Sequence, residues 1–190
     1  MELQQGKRRP AKHLDFGSMT KTPPEQGIGE AAGDRDQDIR QRVAGTSINV
    51  ETMLATDYLN HFNEVVMLFE MMPQMPDCFD DLKAWRPKTY KEHFQDSVFS
   101  DRELAIEAYD HAPIKYQAPF ETIISCLEND LLSAIGEVEA AIDGGVEGQF
   151  SAVVDAALPS IKSHLDMASS IINGVVVTMD QSEIDKLLES

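Results

Sequence analysis

The sequence has few cysteines and few basic residues. Its 190 residues include two cysteines, Cys78 and Cys126, and 16 Lys and Arg against 33 Asp and Glu. Two cysteines are too few for a disulfide framework. The net charge of −17 argues against nucleic-acid binding, because a negative field repels phosphate backbones. The sequence also has no apolar run of about 18 residues and no apolar segment after its basic N-terminal residues. Neither a membrane span nor a signal peptide is therefore expected, and we expect a soluble cytoplasmic protein.

Charge and composition divide the chain near residue 45. Residues 1–45 carry a net charge of +1 and are rich in Gly, Pro and Gln, whereas the other 145 residues carry −18. The first segment has too few large apolar residues to offset its ordering entropy. We predict a mostly disordered tail over 1–45, with a helical turn near Asp34–Val43. A solubilising extension and a partner-binding arm that uses Lys7–Lys12 are both open interpretations.

From Ser47 onward, apolar residues recur every three or four positions, which predicts amphipathic helices. Three long helices are predicted, over about 47–72, 119–142 and 150–172, and the last is kinked at Pro159. Short helices are predicted over 79–85, 89–96 and 101–111, the last beginning with a capping box of Ser100 and Glu103. Strand signals are scarce. The predicted fold of residues 46–173 is an all-α bundle of three long helices plus short connecting helices.

The last residues, 174–190, read as a linker followed by a tethered helix. Asp180 is a candidate N-cap, and Glu183 can complete a capping box. Three apolar residues then share one helical face: Ile184, Leu187 and Leu188. So short a helix is marginal alone in water. We expect it to order only when that face is buried, either against its own bundle or in the groove of another protein.

The segment from Asp180 to Leu188 resembles two peptides that dock on the response regulator CheY. It reads Asp-Gln-Ser-Glu-Ile-Asp-Lys-Leu-Leu, which is similar to the Ser-Gln-x-Glu-Ile-Asp-x-Leu-Leu peptide of the flagellar switch protein FliM and to the C-terminal peptide of the CheZ phosphatase family. The CheZ family also resembles this sequence in being acidic and in the predicted layout of a long-helix bundle with a tethered peptide. The resemblance implies that six residues bind a CheY-like response regulator: Gln181, Glu183, Ile184, Asp185, Leu187 and Leu188.

The resemblance to CheZ also implies dephosphorylation of the regulator. That family uses an Asp and, four residues later, a Gln that positions the attacking water, and the stretch that carries them is absent here. The candidate catalytic pair is instead Asp57 and Asn60, an acid and an amide that are neighbours on a helix surface. Their spacing is similar to the Glu-x-x-Asn of the unrelated CheC and CheX phosphatases. An amide can orient water, and the Mg²⁺ belongs to the regulator, so no cofactor of its own is expected. An ordinary solvated helix face is the alternative.

His61 leaves three interpretations open. With Asp57 and Glu64 it forms a stripe of candidate metal ligands, although no second helix supplies a matching motif. It is also a candidate phospho-accepting histidine, as in histidine phosphotransfer domains, but the usual surroundings of such a histidine are missing. A satisfied or surface histidine is the third interpretation.

The sequence therefore predicts a cytoplasmic protein of chemotaxis or two-component signalling. We expect its C-terminal helix to bind a CheY-like response regulator, and its bundle either to promote dephosphorylation of the regulator or only to act as a scaffold. The competing prediction is a phosphotransfer or metal-binding bundle, in which the C-terminal helix only packs against its own bundle. A homodimer is also open.

Overall fold

The computed structural model describes residues 28–145 and 149–175, with side chains from Arg35 onward. Within these ranges the only β pairing is a single antiparallel bridge between Ile48 and Ala55. The same ranges contain seven α-helices, which are α1 (Ile28–Val43), α2 (Asn60–Met71), α3 (Phe79–Ala84), α4 (Tyr90–Asp96), α5 (Arg102–Tyr109), α6 (Ile114–Asp143) and α7 (Gln149–Ile172). The predicted all-α class is confirmed. None of the described helices combines the length and the apolar character that crossing a bilayer requires.

Helices α6 and α7 pack together as an antiparallel hairpin. The expected start of α6 at Pro119 was wrong, because the helix begins at Ile114 and includes that proline. Pro119 cannot donate a hydrogen bond to the Lys115 carbonyl, but the neighbouring rings of Tyr116 and Phe120 are each only 1% exposed. Their burial offsets the missing hydrogen bond so close to the helix start.

The end of α7 agrees with the prediction of a stop at residues 173–174. Gly174 has a φ of +90°, in the left-handed region that glycine adopts without strain. The amide of Gly174 donates a hydrogen bond to the Ile171 carbonyl, and the amide of Val175 donates one to the Ser170 carbonyl. The donor–acceptor distance is 3.0 Å in both. This pair of hydrogen bonds is a Schellman motif, which fixes the direction in which the chain leaves α7.

The first predicted long helix is shorter than expected. A 3₁₀ turn, Thr56–Leu59, leads into α2, and residues 46–55 form a loop instead of helix. The Asn49 side chain accepts hydrogen bonds from two following backbone amides, and Met53 has a φ of +60°. An Asn side chain that bonds its own backbone competes with a helix, and a left-handed residue ends one. The start predicted near Ser47 was therefore wrong.

The N-terminal part of the chain contributes more to the fold than the predicted tail allows. Helix α1 extends from Ile28 to Val43, so the helical turn predicted near Asp34–Val43 is present and longer. Ile39 is 1% exposed and Val43 is fully buried, so residues assigned to a tail over 1–45 belong to the core. Arg42 also reaches α5 through two hydrogen bonds of 2.6 Å to the Glu107 carboxylate. Residues 1–27 lie outside the described ranges.

The short helices α3, α4 and α5 agree with the predicted positions within about two residues. The expected capping box of Ser100 and Glu103 was wrong, because Asp101 is the N-cap of α5 and makes no side-chain capping hydrogen bond. A capping box is present at α4 instead. The Thr89 side chain accepts from the Glu92 amide, and the Glu92 side chain accepts from the Thr89 amide. This box sets the start of α4, which borders the candidate site.

Candidate functional site

A cleft of about 500 Å³ opens between the start of α2 and the segment that runs from Lys88 through α4 to Phe99. We call it the polar cleft, and it is lined by Asp57, Asn60, His61, Glu64, Lys88, His93, Asp96, Ser97, Val98 and Phe99. Both residues of the predicted catalytic pair lie on its rim. The structure therefore brings Asp57 and Asn60 together in one concave, solvent-accessible site.

One helical turn positions Asp57 and Asn60. Asp57 lies in the 3₁₀ turn, and the Asn60 amide donates a hydrogen bond to the Asp57 carbonyl. The Asp57 carboxylate accepts a hydrogen bond of 2.7 Å from the Ser47 hydroxyl, which restricts its orientation. The side chain of Asn60 is exposed to solvent. The arrangement offers a fixed acid beside an amide that solvent or a bound group can reach.

His61 forms part of the cleft wall and is held there by two contacts. Its Nε2 lies 3.0 Å from the Arg86 carbonyl, and its ring stacks on Trp85 with centroids 5.0 Å apart. The residue is 8% exposed. Burial lowers the pKa of His61, and the hydrogen bond to the Arg86 backbone opposes this. These contacts favour the interpretation of a satisfied structural histidine.

The three candidate metal ligands Asp57, His61 and Glu64 all line the polar cleft, but they do not converge. In the part of the chain that the structure describes, no group of three or more His, Cys, Asp or Glu side chains is arranged to hold a metal ion. The metal-site interpretation of this stripe is therefore not supported by the geometry of the described residues.

The opposite wall of the cleft holds His93 and an ion pair, which the sequence analysis did not single out. Burial lowers the pKa of His93, and its ring packs edge-on against Tyr58 with centroids 5.5 Å apart. Lys88 Nζ lies 2.7 Å from an Asp96 carboxylate oxygen, and this hydrogen bond lowers the pKa of Asp96. The sequence feature that could have pointed to His93 is the capping box of Thr89 and Glu92. It sets the start of α4 and therefore the helix face on which His93 lies.

A second polar cluster links α6 to α7 and was also missed. The Ser160 hydroxyl donates to Asp130 Oδ2 over 2.7 Å, and His164 Nδ1 lies 3.0 Å from the same oxygen. In a catalytic triad the histidine stands between the serine and the acid. Here the aspartate lies between the serine and the histidine, so the cluster does not have the arrangement of a triad. Its hydrogen bonds link α6 to α7.

The predicted regulator-binding residues lie outside the described ranges: Gln181, Glu183, Ile184, Asp185, Leu187 and Leu188. The C-terminal end of α7, from which that segment extends, lies within the described ranges. The Thr52 hydroxyl donates a hydrogen bond of 2.8 Å to the Ile172 carbonyl, and the turn that contains Asp57 packs against α7. The chain therefore leaves α7 at the end of the bundle that carries the Asp57 rim of the polar cleft.

Comparison with protein-family models, with curated proteins and with solved structures finds no match for this chain. Function must therefore be argued from the C-terminal motif and from the geometry of the polar cleft.

Proposed function

We propose that this protein binds a CheY-like response regulator through residues 180–188 and promotes hydrolysis of its phospho-aspartate at the polar cleft. The observation that carries the proposal is the motif itself, with six matching positions over nine residues. The position of the cleft supports it, because the chain leaves α7 at the same end of the bundle as the Asp57 rim. Residues 176–179 then serve as the tether between the bundle and the motif.

The chemistry of the motif fits a groove with an apolar floor and a basic rim. Ile184, Leu187 and Leu188 supply the apolar face, and burying one such side chain contributes about 1.5–3 kcal/mol. Glu183 and Asp185 meet basic residues of the regulator at the rim. Because a tether raises the effective concentration of the regulator at the bundle, the peptide itself can bind weakly.

The polar cleft supplies what hydrolysis of an acyl phosphate needs from a second protein. The exposed amide of Asn60 orients a water molecule in line with the phosphoryl group, while the Mg²⁺ stays on the regulator. The water oxygen bonds to phosphorus, the bond from phosphorus to the aspartate oxygen breaks, and inorganic phosphate leaves. In this proposal Asp57, whose carboxylate accepts a hydrogen bond from Ser47, contacts a cationic side chain of the regulator.

The docking step is tested with the full-length protein and a labelled CheY-like regulator from the same organism, phosphorylated and unphosphorylated, by fluorescence anisotropy. The double variant Leu187→Ala/Leu188→Ala should bind about a hundredfold more weakly, because each lost leucine removes more than a tenfold factor. Lys186→Ala, at a variable position of the motif, is the matched control and should bind like the wild type. Failure of the wild type to bind either form of the regulator would refute the proposal.

The catalytic step is tested by the rate of regulator dephosphorylation at saturating protein. Asn60→Ala should lower the rate about a hundredfold, the scale of a lost positioning group. Asn63→Ala is the control, because Asn63 is exposed on the same helix but does not line the cleft. An equal rate in Asn60→Ala and wild type would remove the cleft from the mechanism.

A non-catalytic scaffold is the second candidate function. It is favoured by one specific observation, the absence of the CheZ catalytic stretch from this sequence. In that case the wild type would bind the regulator and leave the lifetime of its phosphoryl group unchanged. The two assays above separate the candidates, since only the phosphatase alters that lifetime.

A further inference from the structure

Three exposed apolar side chains lie around the point where the chain leaves α7. Ile114 is 74% exposed, Val175 is 55% exposed and Val50 is 46% exposed. Single exposed apolar residues are common on protein surfaces, but a group of them in one place marks a contact surface. We call this group the exit surface, because Val175 is the final residue of the described ranges.

The Glu51 side chain brings the three chain segments of the exit surface together. Its Oε1 accepts a hydrogen bond from the Tyr116 hydroxyl and lies 3.7 Å from Lys115 Nζ. Its Oε2 lies 3.5 Å from the position that a Cβ on Gly174 would occupy. Each apolar residue of the exit surface is the chain neighbour of one of these contacting residues, so the three side chains lie around one carboxylate.

The exit surface also carries two cations, in a protein whose net charge is −17. The Lys115 side chain is 58% exposed, and its Nζ lies over the Tyr116 ring, 4.4 Å from the centroid. Arg40 reaches the same place, because its guanidinium donates a hydrogen bond of 2.7 Å to the Val50 carbonyl. The Glu51 carboxylate, by contrast, is already engaged by the Tyr116 hydroxyl. The exit surface therefore offers apolar contact beside positive charge.

We propose that the exit surface binds residues 180–188 of the same chain, and that this contact competes with binding of the regulator. The motif has the complementary chemistry, because it combines three apolar side chains on one predicted helical face with a net charge of −2, from three acidic residues and one lysine. A basic segment such as Lys7–Lys12 would meet like charge there. One apolar face cannot lie on the bundle and in the groove of the regulator at once. The regulatory part of this inference rests on the proposed function.

The length of chain between the exit surface and the motif allows this contact. Residues 176–183 separate Val175 from Ile184, the first apolar residue of the motif face. Eight residues span up to about 27 Å when extended, so the motif has room to turn back onto the surface from which the chain departs. A segment attached so closely has an effective concentration of the order of millimolar, and even a weak contact is then populated.

The contact itself is tested without any regulator. Amide NMR shifts of the full-length wild type are compared with those of Leu187→Ala/Leu188→Ala. We expect differences at Val50, Ile114 and Lys115, because these residues lose the apolar face that covered them. Differences confined to the neighbours of the substituted residues would overturn the proposal. Differences that grow with protein concentration would assign the contact to a second copy of the chain and would overturn it equally.

A matched pair of variants tests the competition. Ile114→Asp places a negative charge beside the acidic motif, so the motif is released and binding of the regulator, measured by anisotropy, should strengthen at least threefold. Leu132→Asp is the control, because Leu132 is 44% exposed on the same helix, about 27 Å along α6 from Ile114, and it should bind like the wild type. Both substituted residues are exposed to solvent, so both variants are expected to fold.

The two experiments separate this inference from the proposed function. Equal binding of the regulator by Ile114→Asp and the wild type would overturn the competition. A wild type that binds no regulator refutes the proposed function, and the shift comparison then decides by itself whether the motif contacts the exit surface.

Discussion

The polar cleft shares Tyr58 as a wall with a second cavity, but the two differ in how their charges are balanced. We call this second cavity the aromatic cavity, and it is lined by Tyr58, Thr89, Tyr90, Tyr109, Phe120, Glu121, Ile124, Ser125 and Glu128. In the cleft, the Asp57 carboxylate is held by Ser47, Asp96 is paired with Lys88, and the pKa of each histidine is lowered by burial. In the cavity, Glu121 accepts hydrogen bonds from the side chains of Tyr109 and Gln117, and burial raises the pKa of Glu128. The charged side chains of the cleft are thus each held by a neighbouring group. The carboxylates of the cavity are instead held by hydrogen bonds or are partly buried.

Removing the shared wall should have the largest effect. Tyr58 is 1% exposed, and its ring packs against Phe62, Tyr90, His93 and Phe120. Tyr58→Ala should lower the free energy of unfolding by about 3–5 kcal/mol, as measured by urea denaturation. Tyr58→Phe is the control, and it should cost about 1 kcal/mol, the hydrogen bond to Lys88. A loss below about 1 kcal/mol in Tyr58→Ala would show that the two sites do not share this wall.

The capping box before α4 should have the next largest effect. Thr89 lines the aromatic cavity and caps the helix that carries His93 into the cleft. Thr89→Ala should lower the free energy of unfolding by about 1 kcal/mol, whereas Thr89→Ser, which keeps the capping oxygen, should be close to wild type. Equal stability of the two variants in urea denaturation would mean that the box does not hold α4 in place.

Acidification should affect the cleft through its histidines. The pKa of His61 in the folded protein lies below its ordinary value near 6.5, because the ring is buried. Its contribution to stability is therefore complete above pH 6.5 or so and is lost as the pH falls through the lower, folded-state pKa. His61→Phe, which keeps an aromatic ring against Trp85, should lose less stability than wild type between pH 7 and pH 5 in urea denaturation. Gln95→Ala, at an exposed site on α4, should parallel the wild type; parallel curves for all three proteins would exclude this role of His61.

The cavity should respond to pH in the opposite sense, with the smallest effect. Burial raises the pKa of Glu128, so ionisation of this group costs more free energy in the folded protein than in the unfolded chain. The stability that this group contributes is present below its ordinary pKa and is lost as the pH rises through the folded-state value. Glu128→Gln should therefore raise the free energy of unfolding at pH 7 by about half a kcal/mol or less, and the gain should vanish near pH 4. A gain that persists at pH 4 would assign the effect to packing instead of charge.

The sequence predicted those parts of the fold that local signals control. The predicted positions of α3 and α4 are correct within a residue or two, and glycine after Asn173 marks the end of α7. The start of α2 was misplaced because the periodicity that includes Val50 and Leu54 continues through a loop. That loop is set by the side-chain turn at Asn49 and by contact with Ile172, and neither changes the hydrophobic pattern.

Within the candidate sites, too, local sequence signals predict some residue pairs, whereas other pairs depend on how the helices pack. Asp57 and Asn60 could be paired from the sequence because three residues along a helix are neighbours. His93 lies more than thirty residues from Asp57, and Tyr58 lies about seventy residues from Glu128, so their meeting depends on how the helices pack. The cluster of Asp130, Ser160 and His164 is a further example, because it forms only where α6 packs against α7.

The hydrogen bond from Thr52 to the Ile172 carbonyl has a consequence for the order of folding. It joins residues 120 positions apart, so it cannot form until almost the whole described chain has left the ribosome. Contacts of such high sequence separation slow folding, because the closure entropy of the loop must be overcome before they form. The loop before Asp57 and the end of α7 are therefore expected to become native together, after the contacts that are local in sequence.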